Sequence, residues 1–283
     1  MRVFDVHVHY PFGAPDSDPT QLAAVDYLAQ RCHDLGIVKV ALLSRRGAEG
    51  FDYARRARDK YPDLFIPFAF IDLDQDGPET VSQVHGLGFR GLKCLGPQRN
   101  YDDPSYFPIY AEAERAGLPI LFHMGVLGGP VDLLTTHPRR DPAAAQRLMQ
   151  LRERMGPRNI AANRMNPIYL DTLANNFPRL RLIGAHMGGT GWYDLSCSVA
   201  RWRPYVYFDI SGGAVIRRHI VEQQIIGKEM APEKVLFGSD SGADRIGSEI
   251  EEWQAAFDRL GLSQETRELI MYRNAAEIFG LAD

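Results

Sequence analysis

Histidine and aspartate collect at the downstream ends of short apolar runs in this chain. Asp5-Val6-His7-Val8-His9 ends the first run, His123 follows Leu118–Phe122, His186 follows Leu180–Ala185, and Asp240 follows Val235–Ser239. Neutral imidazoles and carboxylates hold divalent cations, and they carry protons near neutral pH. Strand side chains alternate, so Asp5, His7 and His9 are expected on one face and Val6 and Val8 on the other. Two inward imidazoles on one strand can share a metal, although an H-x-H pair alone is a weak signal. Four strand ends carrying only His and Asp are hard to obtain from packing, and they point to a metal-centred active site.

Strand-like and helix-like segments alternate along the whole chain and would position these residues. Val3–Val8, Ile37–Leu43, Leu64–Ile71, Phe89–Leu95, Leu118–Phe122, Leu180–Ala185, Val206–Ile210 and Val235–Phe237 read as strands. Between them, helical spacing is expected at Gln21–Leu35, Tyr53–Tyr61, Glu79–Leu87, Tyr106–Ala116, Trp192–Arg201, Ala214–Ile226 and Ile250–Leu260, with a last amphipathic helix at Gln264–Phe279. Gly117 stands where a helix C-terminus wants it. Eight such alternations fit an α/β fold, a (β/α)8 TIM barrel, better than a doubly wound open sheet. One domain over residues 1–283 is expected, with an insertion after strand five at about 124–178. The insertion holds Gly125–Gly129, a loop through His137, a helix near Ala143–Met155, and Asn163–Tyr169. Loops after barrel strands lie on the catalytic face, so a lid or specificity element is one reading and a structural or subunit contact the other.

Composition narrows the classes. Hydrophobic residues at 45% and charged ones at 24% are ordinary for a soluble globular protein. A net charge of −4 and a pI near 6.1 argue against a nucleic-acid or anionic-membrane partner. No apolar run approaches the roughly 20 residues needed to span a bilayer, and Met1-Arg2-Val3-Phe4-Asp5 lacks the apolar core of a signal peptide. Cys32, Cys94 and Cys197 are distant, odd in number and without C-x-x-C spacing. Neither a disulfide framework nor a thiolate zinc site is indicated, and a cytoplasmic location is expected.

Taken in order, several marks resemble the amidohydrolase superfamily. Within it they resemble the amidohydrolase-related (amidohydrolase 2) branch that includes aminocarboxymuconate-semialdehyde decarboxylase-like enzymes and resorcylate decarboxylases. The marks are Asp5-Val6-His7-Val8-His9, Gly88-Phe89-Arg90-Gly91-Leu92-Lys93, the His123 and His186 strand ends, Gly238-Ser239-Asp240, and Asn274-Ala275-Ala276-Glu277-Ile278-Phe279-Gly280-Leu281. The resemblance implies a distorted barrel with one divalent metal held by His7, His9, His123 and Asp240, with His186 beside the metal-bound water or the substrate. It also makes a homodimer plausible. Three imidazoles and one carboxylate suit Zn²⁺, with Mn²⁺ or Fe²⁺ as alternatives. In some superfamily members a carbamylated lysine at the position of Lys93 bridges two metals; a substrate-contacting or structural lysine beside a single metal is the preferred reading.

Ser44-Arg45-Arg46 follows strand two and is expected on the same rim. With Lys93 and Arg164 it would form a cationic wall for a small carboxylated substrate, since arginine pairs carboxylates by two hydrogen bonds. The bland alternative pairs these arginines with acids such as Glu49 or Asp52. The leading function is a metal-dependent hydrolase of an amide, ester or lactone, with Asp240 and His186 as proton carriers. The alternative is a non-oxidative decarboxylase of the same fold. A non-catalytic binding protein would be expected to lack strand-end ligands, and none is missing.

Overall fold

A computed structural model describes residues 1–9, 20–128, 139–155 and 159–281. Among them, eight parallel strands follow one another around a sheet in the order β1 to β8. They are β1 (Val3–His9), β2 (Ile37–Leu43), β3 (Phe65–Ile71), β4 (Gly91–Cys94), β5 (Ile120–Phe122), β6 (Leu182–Gly184), β7 (Val206–Asp209) and β8 (Val235–Leu236). The helices between them are α1 (Thr20–Asp34), α2 (Gly47–Lys60), α3 (Pro78–Gly86), α4 (Phe107–Ala116), α5 (Pro142–Met155), α6 (Tyr169–Asn176), α7 (Tyr193–Trp202), α8 (Gly213–Gln223), the short kinked α9 (Ile225–Lys228) and α10 (Ala243–Arg259). Two backbone bonds nearly close the ring across β8 and β1, Val6 N to Phe237 O at 3.0 Å and Asp240 N to His7 O at 2.8 Å. This is the expected (β/α)8 TIM barrel, as a single domain.

Two apolar layers follow from strand alternation. Phe4, Val6, Ala41, Leu43, Phe68, Leu121, Ile183 and Leu236 fill the barrel interior together with Tyr272, Ala275 and Ile278 from the C-terminal helix. Val8, Val40, Leu42, Leu92, Cys94 and Phe122 pack outward, in the layer shared with the helices. Lys93 therefore lies on the inward side of β4, between two outward neighbours.

The structure departs from the expected alternation at β1. Val6 joins Phe4 in the interior, whereas Val8 packs outward, so the two valines do not share a face. A register shift between Asp5 and Val8 is the cause. A bulge adds a residue to one strand and reverses the side-chain parity beyond it. Several helices also begin earlier than apolar spacing suggests, because their first turns are polar or glycine-bearing: α2 starts at Gly47 and α10 at Ala243. The last helix is continuous in space but not uniform, since α11 (Gln264–Glu268) and α12 (Asn274–Ile278) flank a π-helical turn at Leu269–Arg273. Gly117 caps α4 in the left-handed region at φ 68°.

The segment between β5 and β6 carries α5, a 3₁₀ turn at Ala162–Met165, and α6. The expected loop through His137 falls outside the described residues. The insertion is tied to the barrel mouth by Gly125 N to Met165 O at 3.1 Å and Tyr101 N to Arg164 O at 3.2 Å.

Close approach of two glycines locks the loops after β5 and β6 together. A Cβ at Gly189 would stand 2.6 Å from the Gly125 Cα, and Gly189 has φ 91° and ψ 152°, a region that only glycine enters readily. Gly189→Ala is expected to lower unfolding free energy in urea by about 1–3 kcal/mol. Gly86→Ala, at a helical glycine with open space around its Cβ position, should instead raise it by about 0.4–1 kcal/mol.

Candidate metal centre

The polar strand ends meet at one mouth of the barrel. His7 and His9 come from β1, His123 directly follows β5, His186 lies in the turn after β6, Asp209 ends β7, and Asp240 follows β8. Three turn residues near this mouth adopt left-handed backbone without being glycine: His186 at φ 58°, Met187 at φ 50° and Asp240 at φ 49°. Such conformations cost about 1–3 kcal/mol each and persist where the surroundings over-determine them. Here the determinants are visible. Asp240 N–H donates to the His7 carbonyl, and His186 N–H donates to Asp209 Oδ1 at 2.9 Å.

His7, His9 and Asp240 converge, each offering a ligand atom within 4.8 Å of the others. Asp240 Oδ1 stands 3.5 Å from His7 Nε2 and 3.2 Å from His9 Nε2. Ligand bonds of about 2.0–2.2 Å place the donors of a tetrahedral site about 3.4 Å apart, so the spacing suits one small divalent ion. The protonation pattern suits it as well. His7 Nδ1 donates to Asp209 Oδ2 at 2.8 Å, which leaves the Nε2 lone pair facing the Asp240 carboxylate. Two lone-pair-bearing atoms at that distance repel unless a cation or a proton lies near both, and Lys93 Nζ, 3.3 Å from the same Nε2, supplies one such charge. A carboxylate behind a ligating imidazole is the usual way to fix such a ring.

His7, His186 and Asp209 form a second grouping, and it is already filled. The Ser211 hydroxyl sits among them, 2.8 Å from His186 Nδ1 and 3.3 Å from His7 Nδ1, and it donates to Asp209 Oδ1. That cluster is hydrogen-bonded polar packing.

His123 is placed against His186, with Nδ1 3.2 Å from His186 Nε2. The trio of converging donors is His7, His9 and Asp240; His123 lines the same cavity, and its Nε2 is buried without a hydrogen-bond partner. A buried, unpaired imidazole nitrogen is costly, and a metal would relieve it. Tyr101 fixes the strand end by donating to the His123 and Cys94 carbonyls.

Burial decides the charge states. It lowers the His7 imidazole below its ordinary value, assisted by the Lys93 ammonium, and it lowers His186 to about 4, assisted by His7. His123 is held well below its ordinary value by burial and by His186. His7, His123 and His186 are therefore neutral, as an imidazole that ligates a metal must be. Burial alone would raise Asp209 and Asp240, but the His7 and Ser211 protons that Asp209 accepts, and the hydrogen bond from His9 to Asp240, outweigh it and hold both carboxyls well below the usual range. Asp5 goes the other way. Fully buried, it is raised to about 7 although it accepts the backbone N–H of His7 and of Ser239.

A cavity of about 710 Å³ opens on this group. His9, His123, His186 and Asp240 form its polar floor, Leu43, Phe70, Leu95, Met124 and Ile216 line its apolar wall, and Ser44, Arg45 and Arg46 stand on one rim. Arg46 pairs with Asp72 at 2.6 Å and covers the Phe70 ring. Two expected wall residues lie elsewhere. Lys93 is fully buried and does not line the cavity; its Nζ stands 3.3 Å from His7 Nε2, and burial lowers it to about 8. Arg164 is absent from the lining, and its guanidinium donates to the carbonyl oxygens of Pro97 and Asn159 and to Asn159 Oδ1. The sequence reading passed over Asp209 and Ser211. The signal for Asp209 was present, an acid after the apolar run Val206-Tyr207-Phe208, the pattern that singled out Asp240.

A TIM barrel with an imidazole and carboxylate cluster at the downstream ends of its strands defines a class of metal-dependent barrel enzymes. The chain belongs to the amidohydrolase family, whose model matches residues 4–281. The resemblance carried by the sequence motifs is thereby borne out. Among curated proteins the chain is 27% identical over 271 residues to a gamma-resorcylate decarboxylase of Rhodococcus jostii, covering 81% of this chain and 77% of that one. Among solved structures it is similar to a 5-carboxyvanillate decarboxylase from Sphingomonas paucimobilis (TM-score 0.64, 14% identity, 99% of both chains). It is also similar to a probable 2-pyrone-4,6-dicarboxylic acid hydrolase from Acinetobacter baumannii (TM-score 0.64, 15% identity, 99% of this chain and 100% of that one). At those identities the two structures speak for the fold alone.

Protein purified without chelators should carry about one divalent ion per chain by inductively coupled plasma mass spectrometry, as one tetrahedral site implies. His7→Ala and Asp240→Ala should each lose it, whereas Arg164→Ala should keep it.

Proposed function

We propose that this protein is a metal-dependent, non-oxidative decarboxylase of a small hydroxylated aromatic acid. Hydrolysis led on the motifs alone. The likeness along 271 residues to a gamma-resorcylate decarboxylase favours the other order. The observation that carries the reading is the two-sided cavity, whose apolar wall of Leu43, Phe70, Leu95, Met124 and Ile216 faces a floor of His9, His123, His186 and Asp240. An apolar wall suits an aromatic ring.

His7, His9 and Asp240 would hold the ion, with His123 Nε2 as a further ligand. Neutral imidazoles with one carboxylate favour Zn²⁺, Mn²⁺ and Fe²⁺ being the alternatives. When bound, the ion supplies Lewis acidity, drawing electron density from substrate oxygens. Arg45 on the rim pairs with the substrate carboxylate. His186 and Asp240, with Nε2 and Oδ2 4.0 Å apart, form the proton-carrying pair. The bond from ring to carboxylate breaks, its electron pair stays on the ring carbon, that carbon takes a proton relayed from solvent through Asp240 and His186, the one ionised and the other neutral at rest, and CO₂ leaves.

Hydrolysis is the second reading, favoured by Asp240. Its carboxylate lies on the cavity floor, placed to take a proton from an attacking water. No helix among the described residues is long and apolar enough to cross a membrane. Three unpaired, buried cysteines accord with a cytoplasmic location, and a homodimer is the assembly proposed.

Incubated with dihydroxybenzoates and with aromatic lactones, the metal-loaded protein is expected to release CO₂ from the acids and no acid from the lactones. Acid release from lactones without CO₂ would reverse the assignment. His186→Asn, assayed at saturating metal, should lower kcat by about 10²–10⁴-fold. Arg45→Ala should raise KM by about 10–100-fold, as expected for a lost charge-assisted hydrogen bond of about 1.5–3 kcal/mol.

A further inference from the structure

Asp209 and Ser211 do not line the cavity, yet their hydrogen bonds run to His7 and His186, and through His186 to His123. Asp209 is fully buried and ionised, so it can only accept. Its Oδ2 takes the Nδ1 proton of His7 at 2.8 Å. Its Oδ1 takes three donors: the backbone N–H of His186 at 2.9 Å, the backbone N–H of Ser211 at 3.0 Å, and the Ser211 hydroxyl. A hydroxyl has one proton. With that proton committed to Asp209, Ser211 Oγ can only accept from His186 Nδ1, 2.8 Å away. His186 then has a bare Nε2, which faces His123 Nδ1 at 3.2 Å. That bond forms only if His123 carries its proton on Nδ1. What remains is His123 Nε2, bare, buried and unpaired.

The geometry points to Asp209 and Ser211 as positioning residues that set the tautomers of His7, His186 and His123 together. One buried carboxylate directs the Nδ1 proton of His7 through one oxygen. Through the other oxygen and the serine hydroxyl it directs those of His186 and then His123. The result is a lone pair at Nε2 of both His7 and His123, where a metal ligand needs one. His186 Nε2 meanwhile accepts from His123.

The backbone is cleared to let this chain of bonds form. A Cβ at Gly212, where φ is 96°, would stand 3.3 Å from His186 Nδ1. One at Gly238 would stand 2.9 Å from the His7 Cβ and 3.2 Å from the Asp209 Cγ. Both glycines adjoin strand-end turns that bring the rings within reach.

This inference rests on the metal-holding reading of the site but not on the identity of the reaction. It is tested on protons rather than on turnover. In wild-type protein stripped by chelator, neutron diffraction should place hydrogen on Nδ1 of His7, His123 and His186. Long-range ¹H–¹⁵N spectra should agree in the stripped and zinc-loaded protein alike. Hydrogen on His186 Nε2 in the stripped protein overturns the proposal without any variant. In Ser211→Ala, His186 and His123 should show mixed tautomers while His7 keeps its Nδ1 proton, and zinc affinity should fall about 10–100-fold, the usual cost of losing an outer partner. Ser211→Thr, which keeps the hydroxyl, should restore both. Unchanged tautomers in Ser211→Ala overturn the proposal, even if zinc affinity falls. A wild-type protein that binds no divalent ion would defeat the metal reading, while the proton positions in the stripped protein still decide this one.

Discussion

Asp209 is the constraint around which the barrel mouth is organised. An ionised carboxylate without solvent is among the most costly groups a protein interior can hold, unless every acceptor site is filled. Here four donors arrive from three separate places: the His7 ring on β1, the backbone of the β6 turn at His186, and the backbone and hydroxyl of Ser211 after β7. No single element could supply them. The charge is therefore satisfied only when β1, β6 and β7 have closed into neighbouring positions. The same closure brings the imidazoles together, so the fold and the site are completed by one event.

The first strand does the complementary work at the seam. It must fill the barrel interior low down, with Phe4 and Val6, and present His7 and His9 toward the mouth higher up. Strict alternation would give Val6 and His7 opposite faces and prevent both. The register shift between Asp5 and Val8 removes the conflict. Asp5 steadies the irregular stretch by accepting the His7 and Ser239 backbone N–H groups on one oxygen. The bond from Asp240 N to His7 O then holds the late aspartate beside the first histidines across the entire length of the chain.

Much of this was legible in the sequence, and the limits have physical causes. Apolar runs ending in His or Asp marked six of the polar groups and the barrel that carries them, because a buried strand and its exposed end differ sharply in composition. Asp209 escaped because Val206–Ile210 reads as one uninterrupted strand, with the acid counted among its residues rather than at its end. The bulge in β1 leaves no mark, since it depends on pairing with β2. Arg45 could be placed on the rim from its position after β2, but Arg164 could not be placed, because the partners of a guanidinium in a long insertion are set by tertiary contacts. Lys93 was located correctly at its strand, and only packing shows that its Nζ stands against His7 Nε2 rather than among the cavity lining.

The mouth divides into a floor and a rim with different freedoms. The floor consists of strand ends and tight turns whose positions are fixed by backbone bonds, by the Gly125–Gly189 approach, and by left-handed residues that few other surroundings would tolerate. The insertion after β5 braces this floor, since Met165 and Arg164 hold the loops of β5 and β4 by their backbone carbonyls. Arg164 spends its guanidinium on the same bracing. The rim instead presents side chains such as Arg45, Val126 and Ile216 to the cavity. A scaffold built this way can keep one metal chemistry while exchanging substrates. That is why the floor argues for the family and the rim must argue for the reaction.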